Sequence, residues 1–479
     1  MSTELSTGAT RAETTTASRS THRWWALAVL ALAQFLVVLD ASIVNIALPS
    51  VGIALGLDTT ALAWVITAYV LPFGGLLLLG GRLADRFGHR RVFLIGAAGF
   101  TAASLLAGLS VGGGMLLAAR AVQGGFAALL APASLALLTQ LFPDAEARGK
   151  ALGVWGAVAG MGSAAGVLLG GVLTAAFGWP AVFFVNMPVG IVVLIVLPRL
   201  VGRDPRGAAE RMDAAGAATA TLGLAAVVAA LTEGSALGWG HPLVLGLAAA
   251  GVALLAAFVL IERRAAHPLV PFRFFRNRDA AAGDLVMLLV GGATVALFFA
   301  LSVYLQEVLR LDALAAGTSQ LPLALALVGV AGVVPVVVAR IGLRPTLTAS
   351  LLVLAAGVVW FAVAAPTGLL TGFILPSVVI GAGLGAAFVT TTQLAVRGVA
   401  DRQSGLASGL VNTSQQIGGA LGLAGLGSAA AARTAALLAQ GQPSADATGG
   451  GFQLLFAGVA VLAAVAATVT VVVRDRRRR

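Results

Sequence analysis

The sequence predicts an all-α integral membrane protein of fourteen transmembrane helices, set out as two six-helix halves with two further helices inserted between them. Three observations lead to this reading. The composition is too apolar for a soluble domain, long apolar stretches recur along the whole chain, and the positive charges fall on alternate connections. The 479 residues are 59% hydrophobic and 10% charged, with mean hydropathy +0.98. Soluble domains carry roughly a quarter charged residues, so a water-soluble enzyme is excluded. The chain has no cysteine, which removes disulfides, thiol chemistry and cysteine metal sites. Its four histidines, His22, His89, His241 and His267, lie in predicted loops or tails, so neither a metal centre nor a cofactor is expected.

A spanning helix needs about 20 mostly apolar residues, because hydrocarbon offers its backbone no partners. Such stretches fall at 24–48, 61–81, 92–110, 114–138, 151–176, 181–198, 214–232, 242–261, 282–305, 318–338, 346–364, 369–395, 405–430 and 452–473. The Ser/Thr-rich start, Met1 to Thr21, precedes an apolar run too long for a signal-peptide core and reads as an uncleaved tail. If both termini face the cytoplasm, the inward segments hold 27 of the 30 Lys and Arg residues. The outward loops hold Arg310 and Arg433, and Arg120 lies inside a helix. That asymmetry is a strong positive-inside signal. It gathers the 27 positive residues into a cytoplasmic collar that orients the helices, and gives no support to nucleic-acid binding.

The chain also repeats itself. Arg86 to Arg90 after the second stretch and Arg340 to Arg344 after the tenth are offset by 254 residues. In the same register Arg148 and Leu152 match Arg402 and Leu406. This divides the chain into a cytoplasmic tail (1–23), an N-terminal six-helix half (24–198), two linker helices with flanking loops (199–279), a C-terminal six-helix half (280–473) and a basic cytoplasmic tail (474–479).

Ionisable residues inside spanning helices cost about 2.5–3.5 kcal/mol each on insertion scales and are functional candidates. Asp40 lies in the first stretch and Arg120 in the fourth. A buried carboxylate suits proton binding, whereas a buried arginine stays charged and modulates that carboxylate or holds an anion. A polar pair that only fixes helix packing is the competing reading. Asp284 and Glu307, at the two ends of the ninth stretch, read as membrane-interface residues, with a lesser candidacy for the substrate or proton path beside Asn45, Gln123 and Gln306. GRLADRFGHRR, Gly81 to Arg91, suits a tight cytoplasmic turn in which Asp85 accepts hydrogen bonds from a helix N-terminus or an arginine. The fifth stretch carries glycines about four apart, a pattern for close helix contact or for bending.

At these residues the chain resembles the major facilitator superfamily, and within it the fourteen-helix drug:proton antiporters. Gly81, Asp85, Arg86, Gly88 and Arg90 match the family's cytoplasmic gate motif, and Leu39-Asp40 through Asn45 to Pro49 is similar to its first-helix motif. Arg120-x-x-Gln123-Gly124 resembles the fourth-helix motif. Gly153, Gly162, Gly166, Gly170 and Gly171 resemble the antiporter motif of helix five, with Val167 where that motif has proline. Further similarity lies in Phe184-x-Asn186-x-Pro188-x-Gly190, Tyr304-Leu305-Gln306 and Asn412-x-x-Gln415-Gln416-x-Gly418-Gly419.

The resemblance implies a monomeric exporter in the cytoplasmic membrane. It would exchange small lipophilic compounds, drugs or antibiotics among them, for protons by alternating access. Asp40 would bind the proton, Arg120 would assist, and Asp85, Arg86 and Arg90 would latch the cytoplasmic gate. Some relatives carry acids in helices ten or thirteen. Both stretches lack them here, which speaks against export of multivalent cations. The one lysine, Lys150, follows Gly149 but precedes Ala151, with Asp144 in place of the first glycine of a phosphate loop, so no nucleotide site forms there. The alternatives are a dedicated exporter of one endogenous metabolite or self-made antibiotic, and a transport-inactive membrane sensor.

Overall fold

A computed structural model describes residues 4–202, 213–265, 268–364, 369–399 and 404–473. The first half comprises α1 (Glu4–Leu55), α2 (Thr59–Phe87), α3 (His89–Gly108), α4 (Gly113–Leu141), α5 (Ala145–Phe177), α6 (Ala181–Phe184) and α7 (Asn186–Leu200). The inserted pair is α8 (Ala214–Leu237) and α9 (Pro242–Arg264). The second half comprises α10 (Arg278–Val303), α11 (Ala313–Ser319), α12 (Leu321–Ala331), α13 (Val334–Ile341), α14 (Leu343–Ala364), α15 (Leu375–Val396), α16 (Ser404–Ala439) and α17 (Ser444–Val472). Among the described residues, 13 helical segments are long and apolar enough to cross a membrane, and Met161–Phe177 of α5 supplies a shorter one. Every predicted stretch therefore meets a helix. Leucines, valines and isoleucines remain exposed all round the body, as a lipid-facing surface requires.

The tenth stretch is not the single helix the sequence suggests. It breaks into α11, α12 and α13, and its prolines give the reason. Pro322 and Pro335 have no N–H for the carbonyls one turn earlier, so the helix restarts at each.

The internal repeat is reproduced in the turns. Asp58 caps α2 through Ala61 N (2.7 Å), and 254 residues later Asp312 caps α11 through Ala315 N (2.7 Å). Gly88 between α2 and α3 has φ 95°, and Gly342 between α13 and α14 has φ 90°. Gly88 N reaches Ala84 O at 3.0 Å, and Gly342 N reaches Val338 O at 2.9 Å. Gly56 has φ 65°, and its counterpart, again 254 residues on, is Arg310 with φ 57°.

Within the first half α5 lies along α1, and α4 lies between α2 and α3. The halves meet along α2 with α16 and along α5 with α11 and α12. Of the inserted pair, α8 packs on α2 and α16, where the Ser428 hydroxyl donates to Leu231 O at 2.6 Å. The outer α9 packs chiefly on α8.

Candidate functional site

Asp40 and Arg120, separated by 80 residues in sequence, form one fully buried ion pair. Asp40 sits on the inward face of α1 and is 0% exposed; Arg120 of α4 is 1% exposed. Arg120 Nη1 donates to Asp40 Oδ2 at 2.6 Å. One helical turn on, Gln123 presents its amide to the same place. Its Nε2 donates to Asp40 Oδ1 (2.8 Å) and to Ser104 Oγ of α3 (2.8 Å), and its Oε1 accepts from Arg120 Nη1 (2.6 Å). Asn186, the first residue of α7, donates from Nδ2 to Asp40 Oδ1 at 2.7 Å. Arg120 Nε reaches Val65 O at 3.3 Å, and the guanidinium lies 4.2 Å from the Tyr69 ring centroid. Both charges are thus paired and both carboxylate oxygens are hydrogen-bonded. This is the condition under which a buried ion pair is tolerated, and removal of one partner from such a pair typically costs about 3–5 kcal/mol.

The sequence signals Asp40, Arg120 and Gln123 but not the whole cluster. Asn186 stands in a motif whose role the sequence leaves open, and Ser104 carries no signal at all. The cluster is confined to one half: the repeat register puts Thr294 and Ile374 opposite Asp40 and Arg120. On α1 the partly exposed stripe is Gln34, Val38, Ala41 and Asn45, and Asp40 faces away from it into its own half.

A second polar site joins the halves. Pro49 has no N–H, so the Asn45 carbonyl one turn earlier lacks its intrahelical donor. The Ser302 hydroxyl of α10 donates to that carbonyl, and Gln306 Nε2 donates to Ile46 O at 3.0 Å. Beside them Ile46, Val167 and Ala313 form a small apolar cluster. A β-carbon added at Gly171 of α5 would lie 2.7 Å from Ala313 O, and one added at Gly317 would lie 2.7 Å from Val167 O. All of these contacts lie toward the bundle end opposite the arginine-rich loops. At the arginine-rich end, Gly149 and Gly153 of α5 and Gly329 of α12 have open space where a β-carbon would stand. The α5 and α12 flank is therefore in close contact at one end and more open around these glycines at the other.

At the turn between α2 and α3, Asp85 is exposed and pairs with His89 Nε2 at 3.1 Å, while Gln140 Nε2 meets His89 Nδ1 at 3.0 Å. Arg90 donates to Pro198 O (2.9 Å) in the last turn of α7, where a cation complements the helix dipole. Arg82 donates to Pro268 O (3.0 Å), and the Arg86 guanidinium lies 5.3 Å from the Phe87 ring centroid. Gly88 closes α2 with positive φ, a conformation glycine adopts without penalty. Gly81 meets Pro132 Cβ only at 3.8 Å, and its neighbour Gly80 makes the intimate contact, against the Ala128 carbonyl of α4.

The helix-five glycines divide in the same manner. Gly162, Gly166 and Gly170 lie against α1: added β-carbons would stand 3.1 Å from Phe35 O, 2.6 Å from Ser42 Cβ and 2.9 Å from Ile43 O. Gly171 faces the other half, and Gly153 touches nothing. With Val167 in place of proline, α5 continues as one helix from Ala145 to Phe177.

Two other acids differ from each other. Glu307 is partly exposed in a π-turn at Tyr304–Val308, near Arg310. Asp284 is not the boundary residue its position suggests. It is 5% exposed among the helices, and among the described residues neither carboxylate oxygen finds a hydrogen-bond partner. Near the cluster an apolar groove of about 460 Å³ runs between α2 and α4, lined by Leu76, Leu79, Leu83, Val122, Phe126 and Leu129 among others. Among the described residues no group of three or more potential metal ligands gathers.

Two repeated six-helix halves around a junction closed at one end, with a charged cluster sealed inside the first half, define a multi-pass membrane transporter. The chain belongs to the Major Facilitator Superfamily, whose family model matches residues 30–423. It is 43% identical over 462 residues to a puromycin resistance protein of Streptomyces alboniger, covering 94% of this chain and 92% of that one. It is 41% identical over 413 residues to a cephamycin export protein of Amycolatopsis lactamdurans, covering 85% of each. In fold it is similar to the crystal structure of an auto-inhibited POT family peptide transporter, with TM-score 0.70 at 18% identity over 96% of this chain and 98% of that one.

Proposed function

We propose that this transporter exports small lipophilic antibiotics from the cytoplasm in exchange for protons, by alternating access between its halves. The observation that carries the reading is the buried Asp40–Arg120 pair within one half of a body whose halves are joined near the outer end by Ser302 and Asn45. In this reading both termini face the cytoplasm of a cell whose inner membrane holds the protein, which the arginine-rich loops support, and the more open end of the α5 and α12 flank faces inward. Substrate enters there, from cytoplasm or inner leaflet. Protonation of Asp40 releases Arg120 and Gln123 from their shared carboxylate, loosening α1 against α4. Asp85, Arg86 and Arg90 then engage as the cytoplasmic gate closes. The protein acts as a monomer, with protons as coupling ion and no bound cofactor.

The relatives support antibiotic export, and each takes its name from a single compound. That favours a second reading, a dedicated exporter for one antibiotic. An efflux-deficient host with and without the gene, challenged with puromycin, lincomycin and a panel of lipophilic drugs, tests both. Resistance to several unrelated compounds, lost when the proton gradient is collapsed, is the expected result. Resistance to a single compound selects the dedicated exporter, and resistance that survives collapse of the gradient removes proton exchange.

A further inference from the structure

We propose that Asp284 is a proton-binding site of the transport cycle, separate from Asp40 and located in the other half. The proposal rests on proton-coupled export as read above. Asp284 lies on α10, six residues from its arginine-rich end, and is enclosed with both carboxylate oxygens unpartnered. Among the described residues no charge offsets it. On its own helix Asp279 is engaged by Arg344 and by Arg397 (3.8 Å), and Arg278 is exposed. From the packed neighbours, α15 brings no titratable residue, α16 brings Arg433 and α17 Asp446, both toward the opposite end. From α1 come Asp40, already paired, and His22 and Arg23 nearer its arginine-rich end, and the 3-10 turn before α10 brings the exposed Arg273 and Arg276. Glu307 lies at the far end of α10, beside Arg310.

The repeat register makes the position more telling. Asp284 stands 254 residues after Leu30, which is 0% exposed in the core of the first half. The same structural slot thus takes a leucine in one half and a carboxyl in the other. An unpaired negative charge is strongly disfavoured there, so the carboxyl holds its proton while enclosed and yields it when rearrangement of α10 against α15 and α16 admits water. Asp40 differs in its surroundings: Arg120 pairs with it, and both of its oxygens accept hydrogen bonds. The two halves therefore hold two buried acids in different surroundings, one paired and one unpaired.

Infrared spectroscopy of the purified full-length chain reads the protonated carboxyl directly. The wild type is expected to show an acid carbonyl band that Asp284→Asn lacks, and identical bands would overturn the proposal. In everted vesicles, addition of puromycin to the wild type is expected to drive proton exchange, and Asp284→Asn to lower it by about one proton per cycle. Equal exchange overturns the role of Asp284 alone. Absence of exchange from a wild type that transports puromycin overturns the coupling reading, and this proposal with it. If Asp284→Asn fails to fold, Asp284→Glu keeps the acid but displaces it by one methylene. It should shift both the band and the pH dependence of exchange, and wild-type behaviour in both would overturn the assignment.

Discussion

The Ser302 hydroxyl donates across the junction of the halves to the main-chain carbonyl of Asn45, an acceptor that Pro49 leaves free. A typical hydrogen bond contributes about 0.5–1.5 kcal/mol net. Ser302→Ala is therefore expected to move the conformational balance roughly two- to tenfold toward the form opened at that end. The chain has no cysteine of its own, so spin labels at Val111→Cys and Gln442→Cys, in the loops of that end, report the opening cleanly. An unchanged distance distribution would show that this bond does not hold the closed form.

Asp40→Asn leaves Arg120 as a buried cation with one carboxylate fewer, and is expected to lower stability by about 3–5 kcal/mol and abolish export. A double replacement, Asp40→Leu with Arg120→Met, removes both charges and should recover much of that stability. Thermal unfolding in detergent beside a susceptibility assay separates the roles. Recovered stability without recovered export assigns the pair to transport, whereas recovery of both makes it a packing device.

Within the fifth helix, Gly166 and Gly153 should respond oppositely. Gly166→Ala forces a β-carbon against Ser42 and Leu39, with an expected cost of about 1–3 kcal/mol. Gly153→Ala enters open space and improves helix propensity, so it should be neutral or stabilising by roughly 0.5–1 kcal/mol. Melting temperatures of the two variants, measured side by side, decide it. Equal losses would contradict the packing described for α1 and α5.

Arg310 holds a left-handed backbone at the position where the first half has Gly56. A side chain there costs about 1–2 kcal/mol, part of which glycine returns through the freedom of its unfolded chain. Arg310→Gly is expected to raise stability by roughly 0.5–1 kcal/mol, read as a later thermal transition. A lower transition would mean that the guanidinium contributes more than the strain removes.

Hydropathy alone was enough to find every membrane helix, because hydrocarbon leaves an apolar helix few alternatives. The repeat was faintly legible in loop arginines, yet its firmest marks are Asp58 with Asp312 and Gly88 with Gly342, whose meaning emerges once the caps and backbone angles are known. Asp40, Arg120 and Gln123 could be named as candidates because charge and amide are conspicuous in apolar surroundings. Their mutual contact depends on how α1 meets α4, which no local pattern encodes. Ser104 was hidden because a helical serine commonly satisfies itself, as its 2.9 Å bond to Phe100 O does here. Asp284 read as a boundary residue because its place near a helix end predicts water, and packing against neighbouring helices removes that water.

The free carbonyl at Asn45 has a consequence for how this junction tolerates sequence drift. Its acceptor belongs to the main chain, so any residue at position 45 would supply it equally well. The information resides one turn away, in a ring that withholds a hydrogen. Substitution scans at the contacting residue would find it permissive and overlook the junction, while a change at Pro49, which is a partner in neither hydrogen bond, would restore the helix's own bond and take the acceptor away.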